Sequence, residues 1–198
     1  MISNAKLYGL VLAGGKSTRM GEDKGLIPYH GVPQRDYLYQ ILDKICASTF
    51  MSVRPDQLEE ITSNKKVIVD KNEFRGPYNG LLSAHREFPD VAWLVLACDL
   101  PLMDEKALNE LTTQRDGAKL ATAFADKENP LPEPLCAIWE PYALKKSIAY
   151  LEQGNGTCPR KFLIQNDVHL VFPERSEVLL NANSKSEYKE ALLKLTHD

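Results

Sequence analysis

Cysteine is sparse and dispersed in this chain. Cys46, Cys98, Cys136 and Cys158 form no Cys-x-x-Cys pair, and His30, His85, His169 and His197 are equally scattered. This excludes a disulfide framework and a zinc knuckle, and it offers no His-based catalytic triad. The cysteines read as reduced thiols, mostly buried, with Cys98 a small apolar filler at a strand end rather than a nucleophile. No apolar run approaches the length of a membrane span, and Met1–Lys6 lead into a strand without the apolar core of a signal peptide, so a cytoplasmic location is predicted, with no membrane partner. Positive charge is not in excess either. The 24 Lys and Arg against 27 Asp and Glu leave a net charge of -3, and a chain without a basic field is not expected to bind nucleic acid.

What is present is an ordinary globular composition, 43% hydrophobic and 26% charged over 198 residues, enough to bury one core without staples. Residues 1–198 are read as a single domain. Short apolar runs alternate with amphipathic stretches, the pattern of an α/β fold with a mostly parallel sheet. Strands are predicted at Lys6–Leu12, Thr49–Val53, Lys66–Asp70, Ala92–Cys98, Lys119–Ala125, Leu135–Trp139 and Val168–Phe172. Helices are predicted at Asp36–Ala47, near Asp56–Ile61, and at Tyr78–Phe88, Glu105–Gln114, Ala143–Gln153, Cys158–Gln165 and Lys185–Lys194. Pro130, Pro132 and Pro134 mark an extended or turning stretch, because proline disfavours helix in itself and in the residue before it. In such a sheet, ligands lie beyond the carboxyl ends of the strands, so the loops after strands one, three and four should converge.

The first of those loops carries the strongest signal. Leu12-Ala13-Gly14-Gly15-Lys16-Ser17-Thr18-Arg19-Met20-Gly21-Glu22-Asp23-Lys24 follows the apolar run from Leu7 to Val11. Gly14 and Gly15 let main-chain N–H groups approach anionic oxygens, while Arg19 and Lys24 supply positive charge, so the loop reads as a nucleoside triphosphate site. It is not a Walker loop, since Leu10 stands where the upstream glycine is needed for Gly15-Lys16-Ser17, and it lacks the Gly-x-Gly-x-x-Gly spacing of a dinucleotide fingerprint. The fourth strand ends Leu94-Val95-Leu96-Ala97-Cys98-Asp99, placing a carboxylate at the tip of an apolar strand. An acid there is costly unless paired or bound to a cation. Magnesium favours one such carboxylate together with phosphate oxygens, which makes Asp99 the candidate metal ligand; Asp104 is better placed than Asp99 to cap the helix that follows.

The pattern Leu-Ala-Gly-Gly-x-x-x-Arg-Met-Gly-x-Asp-Lys resembles the signature of nucleotidyltransferases that join a nucleoside monophosphate to a phosphorylated acceptor. Within that superfamily it looks most like the molybdenum cofactor guanylyltransferases, the MobA-like proteins. The resemblance implies a three-layer α/β sandwich, Rossmann-like and of the nucleotide-diphospho-sugar transferase type, with an N-terminal nucleotide half and a C-terminal acceptor half. It implies transfer of GMP from GTP to molybdopterin with release of pyrophosphate, and Mg2+ held at Asp99. It assigns Arg19, Lys24 and Asp99 to catalysis, and Leu12, Ala13, Gly14, Gly15, Lys24, Asp70 and Asp99 to the nucleotide. Asp70 followed by Gly76-Pro77-Tyr78-Asn79-Gly80 resembles the family's base and ribose element. Asn181 and Asn183 resemble its Asn-x-Asn segment, which reaches the metal or the acceptor, with capping of the last helix by Asn183 or Ser184 as the equal alternative. Arg160 is a candidate for the acceptor's phosphate or a plain surface charge. One departure concerns the base: Arg54 stands where the family offers Asn, and because Arg only donates, the choice between GTP and CTP stays open.

A phosphomonoester has a second pKa near about 6. The acceptor therefore needs no catalytic base, and the burden falls on positioning and electrostatics. Two other readings stand beside this one: a cytidylyl- or sugar-phosphate nucleotidyltransferase on the same fold, and a nucleotide-binding regulator without turnover. Further cofactor-biosynthesis or molybdoenzyme-delivery proteins are conceivable partners.

Overall fold

In the computed structural model, residues 4–15, 23–62 and 64–196 are described. A single seven-stranded sheet organises them, built from β1 (Leu7–Leu12), β2 (Ser48–Val53), β3 (Val67–Val69), β4 (Ala92–Ala97), β5 (Ala121–Phe124), β6 (Cys136–Trp139) and β7 (Val168–Val171) in the order β3-β2-β1-β4-β6-β5-β7. The pairings among β1 to β4 are parallel, as is β5 with β7, while β6 runs antiparallel to both β4 and β5. The single reversed strand makes the sheet mostly parallel, as its sequence pattern predicts.

Helices α1 (Gln34–Asp43), α2 (Pro77–Glu87), α3 (Glu105–Thr113), α4 (Pro141–Glu152), α5 (Pro159–Ile164) and α6 (Lys185–Leu195) complete the fold. Alternation along the strands sends successive side chains to opposite layers. Leu10, Phe50, Trp93 and Val95 pack with Leu81 and Leu82 of α2, Leu144 of α4 and Phe162 of α5. Their neighbours Val11, Met51, Leu94 and Leu96 pack with Leu38 and Leu42 of α1 and Leu108 and Leu111 of α3. Trp93 and Trp139 are fully buried, each contributing on the order of 2–3 kcal/mol of hydrophobic stabilisation.

The local starts follow from particular residues. Asp104 Oδ1 accepts from Ala107 N at 2.7 Å and caps α3, as expected. Asp104→Ala should therefore cost about 1 kcal/mol, read as a lower urea midpoint at unchanged slope. Gly76 adopts φ 63°, a left-handed turn closed to most side chains, and Pro77 then opens α2 with its φ already set. The first helix begins two residues before its predicted start, because Pro33 precedes it in an entry conformation, and it ends at Asp43. There the N–H groups of Ile45 and Cys46 both turn back to Leu42 O. The predicted helix near Asp56–Ile61 is a 3-10 turn over Pro55–Glu60. The cysteines are free; Cys98 and Cys136 are buried, Cys46 is half-buried and Cys158 exposed.

A small satellite cluster positions part of the site. Ile27 and Tyr29, just past the glycine loop, pack against Ala182 and Ala191, with Tyr188 and Leu192 at its margin. The segment that carries Lys24 is thereby docked on the segment that carries Asn183.

Candidate active site

Strands β2 and β3 lie on one side of β1 and β4 lies on the other, which makes the carboxyl ends of β1 and β4 the switch point of the sheet. A cavity of about 450 Å³ opens there. Its lining includes Leu12, Ala13, Gly14 and Gly15 after β1, Ser52 and Arg54 at the end of β2, Asp70 after β3 and Asp99 after β4, with Lys24 entering from the far end of the loop. The convergence predicted from the strand ends is thus observed. Arg19 and Lys16 lie outside the described residues.

Asp99 sits where the β4 backbone leaves the sheet, and its carbonyl accepts from Ala182 N at 2.9 Å, so the Asn181–Asn183 segment is tied to it directly. Burial pushes the Asp99 carboxyl above the ordinary carboxylate range, an effect opposed by the nearby Lys24 ammonium and by a hydrogen bond with the Asn183 side chain. Lys24 Nζ donates to Asn183 Oδ1. The Asn183 amide therefore stands between cation and carboxylate. The capping alternative for Asn183 is resolved by Ser184, whose Oγ accepts from Glu187 N at 3.3 Å as the cap of α6. Asn181 instead donates to Leu179 O at 3.1 Å.

On the opposite wall, Asp70 is buried, and Ser52 Oγ donates to its Oδ1 at 2.5 Å. Desolvation pushes the Asp70 carboxyl up, while Ser52, Arg54 and Asn79 pull it down. The carboxylate also lies directly behind the glycine loop: a Cβ on Gly14 would come within 2.5 Å of Asp70 Oδ2. A side chain at position 14 would force the Asp70 carboxylate to move off Ser52. Cys98 lines the cavity, but burial raises its thiol pKa far above neutrality, so it is a protonated filler.

Two sequence assignments change on contact with the geometry. Arg54 lines the cavity, yet its Nη1 donates to Gly14 O at 3.0 Å and Gly15 O at 3.3 Å, and its Nη2 and Nε are held by Asp56. The guanidinium is directed at the loop backbone and its neighbour, not displayed as a base-reading fork. Arg160 pairs with Glu133 at 2.5 Å and donates to Pro132 O at 3.2 Å, anchoring the proline-rich stretch, and it is absent from the described cavity lining. The residues not anticipated are Ser52, Asn79 and Gln57. Asn79 sits inside the Gly76-Pro77-Tyr78-Asn79-Gly80 motif without having been singled out, Ser52 and Gln57 have no local motif, and Gln57 reaches partners 34 and 44 positions away.

Glycine-rich backbone at a switch point, facing a lysine and a carboxylate, offers N–H donors and positive charge of the kind that suit phosphate groups, and solved structures share this fold. The molybdopterin-guanine dinucleotide biosynthesis protein A from Archaeoglobus fulgidus superposes with a TM-score of 0.78 at 20% identity, over 96% of this chain and all of that one. A nucleotidyl transferase from Methanothermobacter superposes with a TM-score of 0.74 at 17% identity, over 97% of this chain and 98% of that one. At those identities the likeness concerns the fold. The sequence profile of the MobA-like NTP transferase domain matches residues 9–170, and the chain belongs to that family. A "Molybdenum cofactor biosynthesis bifunctional protein" from Synechocystis is 38% identical over 189 residues, 94% of this chain. This chain spans about half of that relative, 54% of its length. A "Probable molybdenum cofactor guanylyltransferase" from Nostoc is 29% identical over 91% of this chain and 88% of its own length.

Proposed function

We propose that the protein transfers GMP from GTP to the terminal phosphate of molybdopterin, releasing pyrophosphate and forming the guanine dinucleotide form of the cofactor. The observation that carries this reading is the meeting of Lys24, Asn183 and Asp99 beside the glycine loop, in a chain whose family and curated relatives point to guanylyl transfer. The acceptor phosphate is ionised at neutral pH and attacks the α-phosphorus. A new P–O bond forms there as the bond to the β-phosphate oxygen breaks, and the electron pair leaves with pyrophosphate. No side chain has to remove a proton. Lys24, and by the family resemblance Arg19, offset the negative charge that grows on the α-phosphate and the leaving group.

Asp99 is the residue that would hold Mg2+; the Asn183 amide oxygen beside it accepts from Lys24. The donor set fits a hard cation. Among the described residues no group of three or more His, Cys, Asp and Glu side chains is gathered as a metal cage. Few protein oxygens beside a triphosphate site is the usual arrangement for magnesium, which takes its remaining ligands from phosphates and water. When bound, the ion supplies Lewis-acid neutralisation of phosphate charge.

Guanine is favoured over cytosine by the curated relatives named as guanylyltransferases. With Arg54 turned to the loop carbonyls, the departure at that position no longer argues for another base. No helix of the described residues is long and apolar enough to cross a membrane.

The test offers GTP and CTP separately in a thermal-denaturation assay with magnesium present. GTP at a hundredfold over its Kd is expected to add about 2.7 kcal/mol of stability, and CTP at equal concentration much less. Incubation with molybdopterin should then give the guanylylated mass and one pyrophosphate per product. A larger shift with CTP, and a cytidylylated product, would move the protein to the cytidylyl class.

A further inference from the structure

The 3-10 turn over Pro55–Glu60 lies outside the glycine loop in sequence, yet the two ends of that loop meet on one of its side chains. Gln57 is 1% exposed. Its Nε2 donates to Ala13 O at 3.1 Å, where β1 runs into the loop, and to Asp23 Oδ2 at 2.9 Å, where the chain leaves it. Its Oε1 accepts from Arg54 N at 3.0 Å. Both amide hydrogens and the amide oxygen are engaged, a set of bonds that neither a carboxylate nor an apolar side chain of this size can reproduce.

The bonds made by Gln57 propagate to the groups that face the nucleotide. Asp23, held through Oδ2, uses Oδ1 to accept from Gly25 N at 2.9 Å and so caps the turn that begins at Lys24. Arg54, held through its backbone, extends its guanidinium to Gly14 O and Gly15 O. In a planar trans peptide the C=O and the following N–H point in opposite directions. Anchoring Gly14 O on Arg54 therefore turns the Gly15 N–H away from Arg54 and fixes the plane of that donor.

We propose that Gln57, acting with Arg54, is a positioning residue that holds the two ends of the glycine loop, residues 13–15 and 23–25, in their phosphate-binding form before a nucleotide arrives. The proposal rests on reading that loop as the triphosphate site. A loop of consecutive glycines has more backbone freedom than any other sequence, and freezing it on binding weakens affinity. A bracket on residues 13–15 and 23–25 from a separate element takes the ordering of those residues out of the binding step and leaves the Gly15 donor already aimed.

Gln57→Glu keeps the shape and replaces a donor by an acceptor facing Ala13 O and the Asp23 carboxylate. The Kd for GTP is expected to rise about tenfold or more, the size of loss typical when a buried polar group is left facing no donor. Amide hydrogen exchange at residues 13–15 and 23–25 should accelerate while β4 keeps its protection. Asp23→Asn in the Gln57→Glu background restores an opposed pair, since the introduced amide donates to the carboxylate and keeps an oxygen for Gly25 N. Binding by the double variant should then exceed what the two single losses multiply to, a coupling that a general packing defect would not show. Gln57→Met removes the donors without adding charge, and it replaces Gln57→Glu if that variant does not fold; the same faster loop exchange is expected. Affinity within twofold of the unmodified protein together with unchanged loop exchange overturns the clamp, as does a double variant no better than the product of the singles. An unmodified protein that binds neither GTP nor CTP overturns the phosphate-site reading itself, which the variants alone do not.

Discussion

Asp99→Asn should lower turnover by about two orders of magnitude or more while leaving the fold intact, the loss typical of removing one electrostatic group aimed at developing charge. The substitution keeps the size of the side chain and the backbone bond from Ala182 N to the Asp99 carbonyl, and it leaves one oxygen to accept from Asn183, so the main change is the loss of charge. The metal-free protein should at the same time become more stable. Burial raises the Asp99 carboxyl pKa, which means that the native state binds the proton more tightly than the unfolded chain does. Such a group opposes folding once pH exceeds its native pKa, and the opposition fades as pH falls toward the unfolded value. A neutral amide removes the penalty at neutral pH. Higher melting temperature without metal, together with collapsed magnesium-dependent activity, is the paired result expected of a carboxylate kept in place for a cation. Unchanged turnover with an unchanged magnesium requirement would sink the assignment and direct the search for the ligand to Asp70 and Asn183.

The parts of this site that were legible in the sequence are those that end strands. Leu12, Asp70 and Asp99 each follow an apolar run, and the switch-point rule turns three separate strand ends into one place without further information. Strand positions were legible to within a residue or two for the same reason, since apolar runs bounded by polar residues have few alternatives. Direction was not: β6 reads like its neighbours, and only its pairing with β4 and β5 makes it antiparallel.

Long polar side chains were the least legible. Arg54 belongs to the β2 end, but its direction is set by Asp56 on one side and by carbonyls 39 and 40 residues earlier on the other. Arg160 is claimed by Glu133, 27 residues before it. Asn183 was ambiguous because a capping oxygen and an active-site oxygen look alike in sequence, and the ambiguity ends only when Ser184 is seen to take the cap. These are contacts of tertiary structure, where short-range patterns carry no information about the partner.

Lys24→Ala should lower kcat by about two orders of magnitude and raise the KM for GTP far less. The reason lies in what Lys24 faces. Its ammonium donates to Asn183 Oδ1 and interacts with the Asp99 carboxylate, at the junction of the glycine loop and α6 rather than along the outer wall of the cavity. On the proposed reading, a charge at that junction lies beside the α-phosphate, and the negative charge it meets grows as the bond to pyrophosphate breaks. An interaction that strengthens during the reaction appears in kcat, whereas one equally strong before it appears only in KM. Substitution by Arg would keep the charge but not the compact ammonium geometry, so Lys24→Arg should recover only part of the loss. Steady-state kinetics with GTP and molybdopterin, followed by pyrophosphate release, make the comparison. A Lys24→Ala enzyme altered in KM alone would make this lysine a uniform binding group and leave the transition-state charge to Arg19.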